Sequence, residues 1–179
     1  MEGVFENENH GIGLLLFYFF IFMETSKIVI REMELEDIPK VFALGEILFT
    51  AEKWTNLYRS WDEYEILERF ISDEDFCLVA EQDNQIVGFT IGAIIHKRKS
   101  AWTYGYLIWI GIDPNLKNKG IGKKLLKTLT RIFVRHGARI MLADTAADNL
   151  DAIHFLHKNG FGNEEKHVYF SKNIEQKKK

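Results

Sequence analysis

Hydrophobic and polar positions change period several times along the 179-residue chain, and each change marks an element. Gly11 to Met23 is the most apolar run, yet it is too short to cross a bilayer as a helix. It also lacks the positive leader and small-residue cleavage site of a signal peptide. Lys27 to Arg31 alternates as a short strand. Glu34-Leu-Glu-Asp37 reads as an acidic helix start ahead of Ile38, Val41, Phe42, Leu44, Leu48 and Phe49. After an irregular Glu52–Asn56, helical spacing returns from Trp61 to Phe70. Phe76–Glu81 and Ile86–Ile95 form a hairpin over the turn residues Asp83 and Asn84, followed by a polar connector, Lys97 to Ser100. Thr103 to Ile112 has the apolar, β-branched composition of a strand buried on both faces. Asp113-Pro-Asn stops it. Ile121, Leu125, Leu126, Leu129, Ile132 and Phe133 then keep one helical face, closed by Gly137. Arg139–Asp144 is a strand, Asp148 to Asn159 a helix ended by Gly160, and Phe161 and His167–Ser171 are closing strands. The order β-α-α-β-β-β-α-β-α-β-β predicts a mixed α/β (α+β) domain around one sheet.

Composition narrows the class. The length suits about one domain with a full core. A net charge of −3 and two prolines argue against a bulk nucleic-acid binder and against long linkers. Cys77 is the single cysteine, so no disulfide forms within the chain and a reducing, cytoplasmic setting is expected. Its Phe-Cys-Leu-Val-Ala context favours packing over nucleophilic chemistry. His154 and His157 share a helix face without further ligands at metal spacing, so no metal is expected. The apolar run leaves three readings open: Met23 as the true start, an element packed on the domain or on a second copy in a homodimer, or an interfacial membrane anchor. Stable membrane insertion is not expected.

The chemistry centres on the junction of the central strand and the helix after it. Lys117-Asn-Lys-Gly-Ile-Gly-Lys123 leads into that helix with Gly120 and Gly122 where its backbone begins. Free N–H groups, the helix dipole and flanking lysines make an anion site suited to a pyrophosphate. A Walker loop requires glycine at Lys117 and Ser or Thr at Lys124, and a dinucleotide fingerprint requires a small residue at Leu125; both fail.

The same stretch resembles the signature of the GNAT superfamily of N-acetyltransferases. That signature is Gln or Arg, two residues, Gly, one residue, then Gly or Ala, after a strand ending in an apolar-x-Pro turn. Ile112-Asp-Pro114, Gly120 and Gly122 match, with Lys117 where Gln or Arg is usual. Asn149-x-x-Ala152-Ile-x-Phe-Leu-x-Lys-x-Gly-Phe161 resembles the family's second block, closest to the N-terminal peptide acetyltransferase branch. The resemblance implies a GNAT domain over residues 23–174, an extension at 1–22 and a basic tail at 175–179. It implies a mostly antiparallel mixed sheet of about seven strands, splayed between the fourth and fifth, with helices on both faces.

Acetyl-CoA is then the expected co-substrate, lying between the strands at Trp109–Ile112 and Ile140–Asp144. The resemblance gives Ile110, Gly111 and Ile112 the pantetheine arm. It gives Lys117, Asn118, Lys119, Gly120, Ile121, Gly122 and Lys123 the pyrophosphate. Asn149 would bond the arm and Phe155 would pack beside it, although Asn149 also reads as a helix cap. The expected reaction is direct attack of a primary amine on the thioester, without an acyl-enzyme. Asp144 is the candidate base, and Tyr106, with Tyr104 and Trp109, the candidate acceptor-side residue; Glu81, His96 and Tyr169 are weaker. Leu156 replaces the tyrosine that many members use as acid, and Ile108 stands where a carboxylate is common. Those two departures keep a catalytically silent acyl-CoA-binding module as the alternative. A peptide α-amine is neutral in about one molecule in ten at pH 7, a lysine side chain in roughly a few per ten thousand. An α-amine acceptor therefore asks least of a weak base, with small amines and polyamines as alternatives.

Overall fold

Five strands form one sheet in the order β1-β2-β3-β4-β5. The computed structural model describes residues 27–49, 61–96, 102–168, 170 and 172. They comprise β1 (Val29–Glu32), α1 (Ile38–Leu48), α2 (Glu63–Ser72), β2 (Cys77–Gln82), β3 (Gln85–His96), β4 (Thr103–Ile112), α3 (Ile121–Arg135), β5 (Ala138–Ala143) and α4 (Leu150–Lys158). Two compact units result, one ending at Leu142 and the other starting at Ala143. The apolar run, the tail and the connectors at 52–60 and 97–100 lie outside the described residues.

β1 to β4 pair antiparallel. Asp83 and Asn84 take positive φ, 52° and 60°, the left-handed pair that a two-residue hairpin needs. β5 joins β4 after the helical crossover α3, the kind of connection that a parallel neighbour requires. In the β3–β4 ladder Ile91 faces Trp109 while Gly92 faces Leu107, so Ile108 is an extra residue. This bulge lets both Tyr106 and Trp109 pack with the same core.

That core lies between the sheet and α1 and α2. It joins Val41, Leu44, Trp61, Ile66, Val79, Phe89, Ile91, Ile108 and Trp109. The opposite face is covered by α3, whose Leu125, Leu129 and Phe133 reach β3 and β4 where Gly88, Gly92 and Gly105 leave room. Helices thus flank both faces of the first unit.

The expected acidic helix start is a short 3₁₀ turn, Leu35–Asp37, running directly into α1. Asp37 is 3 % exposed and accepts both Nη1 (2.6 Å) and Nη2 (3.0 Å) of Arg31, plus the Glu34 backbone N–H at 2.9 Å. It anchors β1 to α1. Arg31 also donates from Nε to Glu81 at 2.8 Å. Glu81, a weaker sequence candidate for chemistry, is therefore half of a structural ion pair.

The expected seven strands are five among the described residues. No strand forms at Phe161, which is half-buried, or at 167 and 168, which are exposed; Val168 is 75 % and Phe170 85 % accessible. The apolar alternation there resembles a strand, yet the residues bury no face.

Candidate functional site

Three consecutive pieces of the first unit build the site: the end of β4, a turn, and the start of α3. Asp113 closes β4 by donating its N–H to Val87 O at 2.9 Å, and its carboxylate accepts the Asn115 N–H at 2.8 Å. A 3₁₀ turn over Pro114–Leu116 follows. Asn118 (φ 66°) and Gly120 (φ 77°) then take the left-handed conformation that swings the chain into α3.

Gly120 is the N-cap and offers no side-chain cap, and the first turn of α3 holds no acid. A Cβ at Gly120 would meet no heavy atom within 4 Å, so the approach is open. Lys124 donates its N–H to Gly120 O at 3.1 Å as the helical pattern begins. The N–H groups of Ile121, Gly122 and Lys123 therefore have no acceptor inside the helix and point out of its end. Lys117, Lys119, Lys123 and Lys124 are exposed around that end. Ile121 instead points inward, 1 % exposed, so its share in any site is its backbone. Dipole, donors and lysines all favour a polyanion.

Ile110 and Ile112 are half-buried, while Gly111 sits against Phe89 and Leu48 of the α1 side. Trp109 is core. Its ring lies tilted 4.7 Å from Phe49 and edge-to-face 5.2 Å from Trp61, and its Nε1 donates to Glu65 Oε1 at 3.5 Å. Tyr106 is half-buried, opposite Ala93 on β3 and against the same cluster. Tyr104 is half-buried on that strand, and His96 meets Thr103 Oγ1 at 3.5 Å. Tyr169 lies outside the described residues.

Asp144, Asn149 and Phe155 belong to the second unit. Asn149 caps α4: its Oδ1 accepts the Ala152 N–H at 3.2 Å and its Nδ2 donates to Thr145 Oγ1 at 3.0 Å. One amide hydrogen remains beyond those two bonds. Phe155 and Leu156 are half-buried on α4, and His157 pairs with Glu164. Asp144 is exposed by area, yet crowding still lifts its carboxyl above the ordinary aspartate range. His167 and a backbone N–H pull it partway back.

Burial pushes the Cys77 thiol up to about 12, with Asp73 and Glu74 adding to the shift. It is fully buried and inert, in line with its sequence context. Among the described residues no group of three or more His, Cys, Asp or Glu is arranged to hold a metal, and no helix is long and apolar enough to cross a membrane.

The fold is thus an α/β domain in which strand β4 leads through a short turn into a glycine-led helix with free backbone donors at its start. The sequence matches the acetyltransferase (GNAT) family over residues 45–161, and the chain belongs to that family. It is 30% identical over 94 residues to an acetyltransferase of Pectobacterium atrosepticum, covering 51% of this chain and 62% of that protein. It is 30% identical over 125 residues to an uncharacterized N-acetyltransferase of Methanocaldococcus jannaschii, covering 67% and 50% respectively. The chain thus spans half to three fifths of the curated relatives it matches. Among solved structures, the fold is similar to aminoglycoside acetyltransferase AAC(6')-Iy bound to a bisubstrate analogue, with TM-score 0.67 and 20% identity over 83% of this chain and 100% of that one. It is also similar to the BH1408 protein of Bacillus halodurans, with TM-score 0.71 and 14% identity over 81% and 99%.

Proposed function

We propose that the protein transfers an acetyl group from acetyl-CoA to a primary amine, with the pyrophosphate held at the N-terminus of α3. The observation that carries this reading is the uncapped, acid-free start of α3, opened by left-handed Asn118 and Gly120 and ringed by lysines. The backbone N–H groups of Gly122 and Lys123 supply the main donors, with Lys117, Asn118 and Lys119 lining the approach. Ile110 to Ile112 offer backbone to the pantetheine arm. Asn149 contributes its remaining amide hydrogen and Phe155 its ring. The complexed aminoglycoside acetyltransferase fold supports the same donor chemistry.

In the reaction the amine nitrogen attacks the thioester carbonyl carbon and the C–S bond breaks. The amine proton leaves through the Asp144 carboxylate, directly or by one water, and the departing thiolate takes up a proton from solvent. Leu156 has no proton to give, so the thiolate leaves unassisted by that position. Asp144 must be ionised to accept a proton, and its raised pKa makes it a stronger base than an ordinary aspartate. It remains a weak one, which favours acceptors that are partly neutral at pH 7. Peptide α-amines meet that condition, as do amines crowded by other ammonium groups, whose mutual repulsion lowers their pKa. We place the reaction in the cytoplasm.

The test is thiol release from acetyl-CoA against a panel of aminoglycosides, polyamines, lysine peptides and peptides with free α-amines. Turnover with depressed-pKa amines supports the proposal. Tight acetyl-CoA binding with no product from any amine establishes the silent acyl-CoA-binding module that Leu156 and the buried Ile108 allow.

A further inference from the structure

One groove of the first unit lies away from the glycine turn. About 650 Å³ of space lies between β1, the outer strand of the sheet, and the C-terminal half of α3. Its floor is apolar. Ile30 and Leu78 lie on the α3 side of the sheet, because Ile30 faces Ala80 and Glu32 faces Leu78 in the register, and Ile132 meets them from the helix. Val134, 63 % exposed, extends the apolar surface at the rim, and Arg131 and Arg135 stand over it.

Among the described residues, those arginines have no acidic partner. The helix carries Lys123, Lys124, Lys127, Arg131 and Arg135 and no carboxylate. Arg131 donates to Thr128 Oγ1 at 3.1 Å, and among the described residues neither arginine makes an ion pair. Arg31, also on the groove, is engaged by Asp37 and Glu81. Glu32 is the one carboxylate among the described lining residues. The outer side of β1 has no partner strand among the described residues. An exposed edge above an apolar floor is a surface that folded chains ordinarily cover. The occupant that fits is therefore apolar in part and acidic in part.

We propose that the groove is the docking site of the chain's own residues 1–22. That segment has the required composition: Glu2, Glu6 and Glu8 without a lysine or arginine, then the apolar stretch from Gly11. It also has the required proximity. It precedes Val29, the first residue of β1, by a few residues, so the groove sees it at the high effective concentration of a tethered ligand. The apolar side chains supply the larger share of the attraction, and the glutamates set position against Arg131 and Arg135. The groove takes part of the apolar stretch; exposed Val29 and Val134 continue the surface on either side.

The test uses the full chain with a photo-reactive residue, Val134→p-benzoylphenylalanine. Irradiation is expected to cross-link it to residues 1–22 of the same chain, mapped by peptide mass. Arg131→Glu with Arg135→Glu should lower that yield by about fivefold or more. Glu2→Lys, Glu6→Lys and Glu8→Lys added to that variant should restore it. Thermal unfolding of each variant establishes that α3 is still folded. Cross-links to a second copy, to another part of the chain or to nothing overturn the proposal, as does a yield indifferent to charge reversal. Neither arginine belongs to the proposed acetyl-CoA site, so this outcome is independent of turnover.

Discussion

Asp37 illustrates how much one side chain decides. Burial alone would raise its pKa, but the Arg31 guanidinium and the Glu34 N–H outweigh that and hold the carboxyl below its ordinary value. A folded-state pKa below the unfolded one gives stability that is present above the unfolded value and lost as pH falls through the folded value. Asp37→Asn should therefore destabilise by about 3 kcal/mol at pH 7, the lower end for a broken buried pair because Arg31 keeps Glu81. Urea unfolding should show that gap shrinking as the pH drops below about 4. A constant gap from pH 7 to pH 3 would remove the ion pair from the account. Asp144 carries the opposite shift and a different claim. Asp144→Asn should lower the turnover rate at least about tenfold with acetyl-CoA affinity kept, the low end for a general base. In the unmodified protein, activity should fall as pH drops through a pKa above the ordinary aspartate value. Loss of binding in the variant, or unchanged turnover, would unseat Asp144 as the base. The network around Asp37 was legible only in part: Arg31 and Glu34 lie within six positions of it, but Glu81 is fifty from Arg31 and no local spacing announces that pair.

The elements themselves were largely legible, because each is punctuated by a residue with a physical reason to be there. Gly137 follows α3 at φ 81°, and Asp83-Asn84 make the hairpin turn, as their residue types indicate. The exceptions have causes of the same kind. Trp61 precedes α2 rather than opening it, because Asp62 is the cap, accepting the Glu65 N–H at 2.9 Å. Trp61 instead lies against Gly45 of α1, where an added Cβ would come within 2.1 Å of its ring. Alanine at position 45 would gain about 1 kcal/mol in helix propensity. The ring has little room to move, packed in the core with its Nε1 donating to Phe42 O at 3.1 Å. Overpacking should win, and Gly45→Ala should be net destabilising by about 2 kcal/mol in chemical denaturation. A stabilised variant would mean that the α1–Trp61 contact is looser than described. The closing strands failed for a reason that apolar alternation hides: a strand needs a face to bury, and the described residues from Phe161 onward have none that is buried.

At the scale of the whole molecule, the loop that dominates the sequence leads into a helix start with no side-chain cap, while the groove beside β1 lies elsewhere. Residue type and spacing identified that donor end because it is local: strand, turn and helix are contiguous. The acceptor side was not legible: its candidates Tyr106 and Asp144 lie far apart in sequence and in different compact units. Family membership fixes the fold and the class; the central claim is that the start of α3 holds the CoA pyrophosphate. Gly122→Glu tests it most directly. A glutamate in the first turn of α3 suits the helix dipole, so thermal stability should hold or rise. The same carboxylate would meet the phosphates at the proposed site. Titration calorimetry with acetyl-CoA should then show affinity lower by about tenfold or more, roughly one repelling charge at short range. Unchanged affinity in a fully folded variant would contradict the assignment of the pyrophosphate to this helix end.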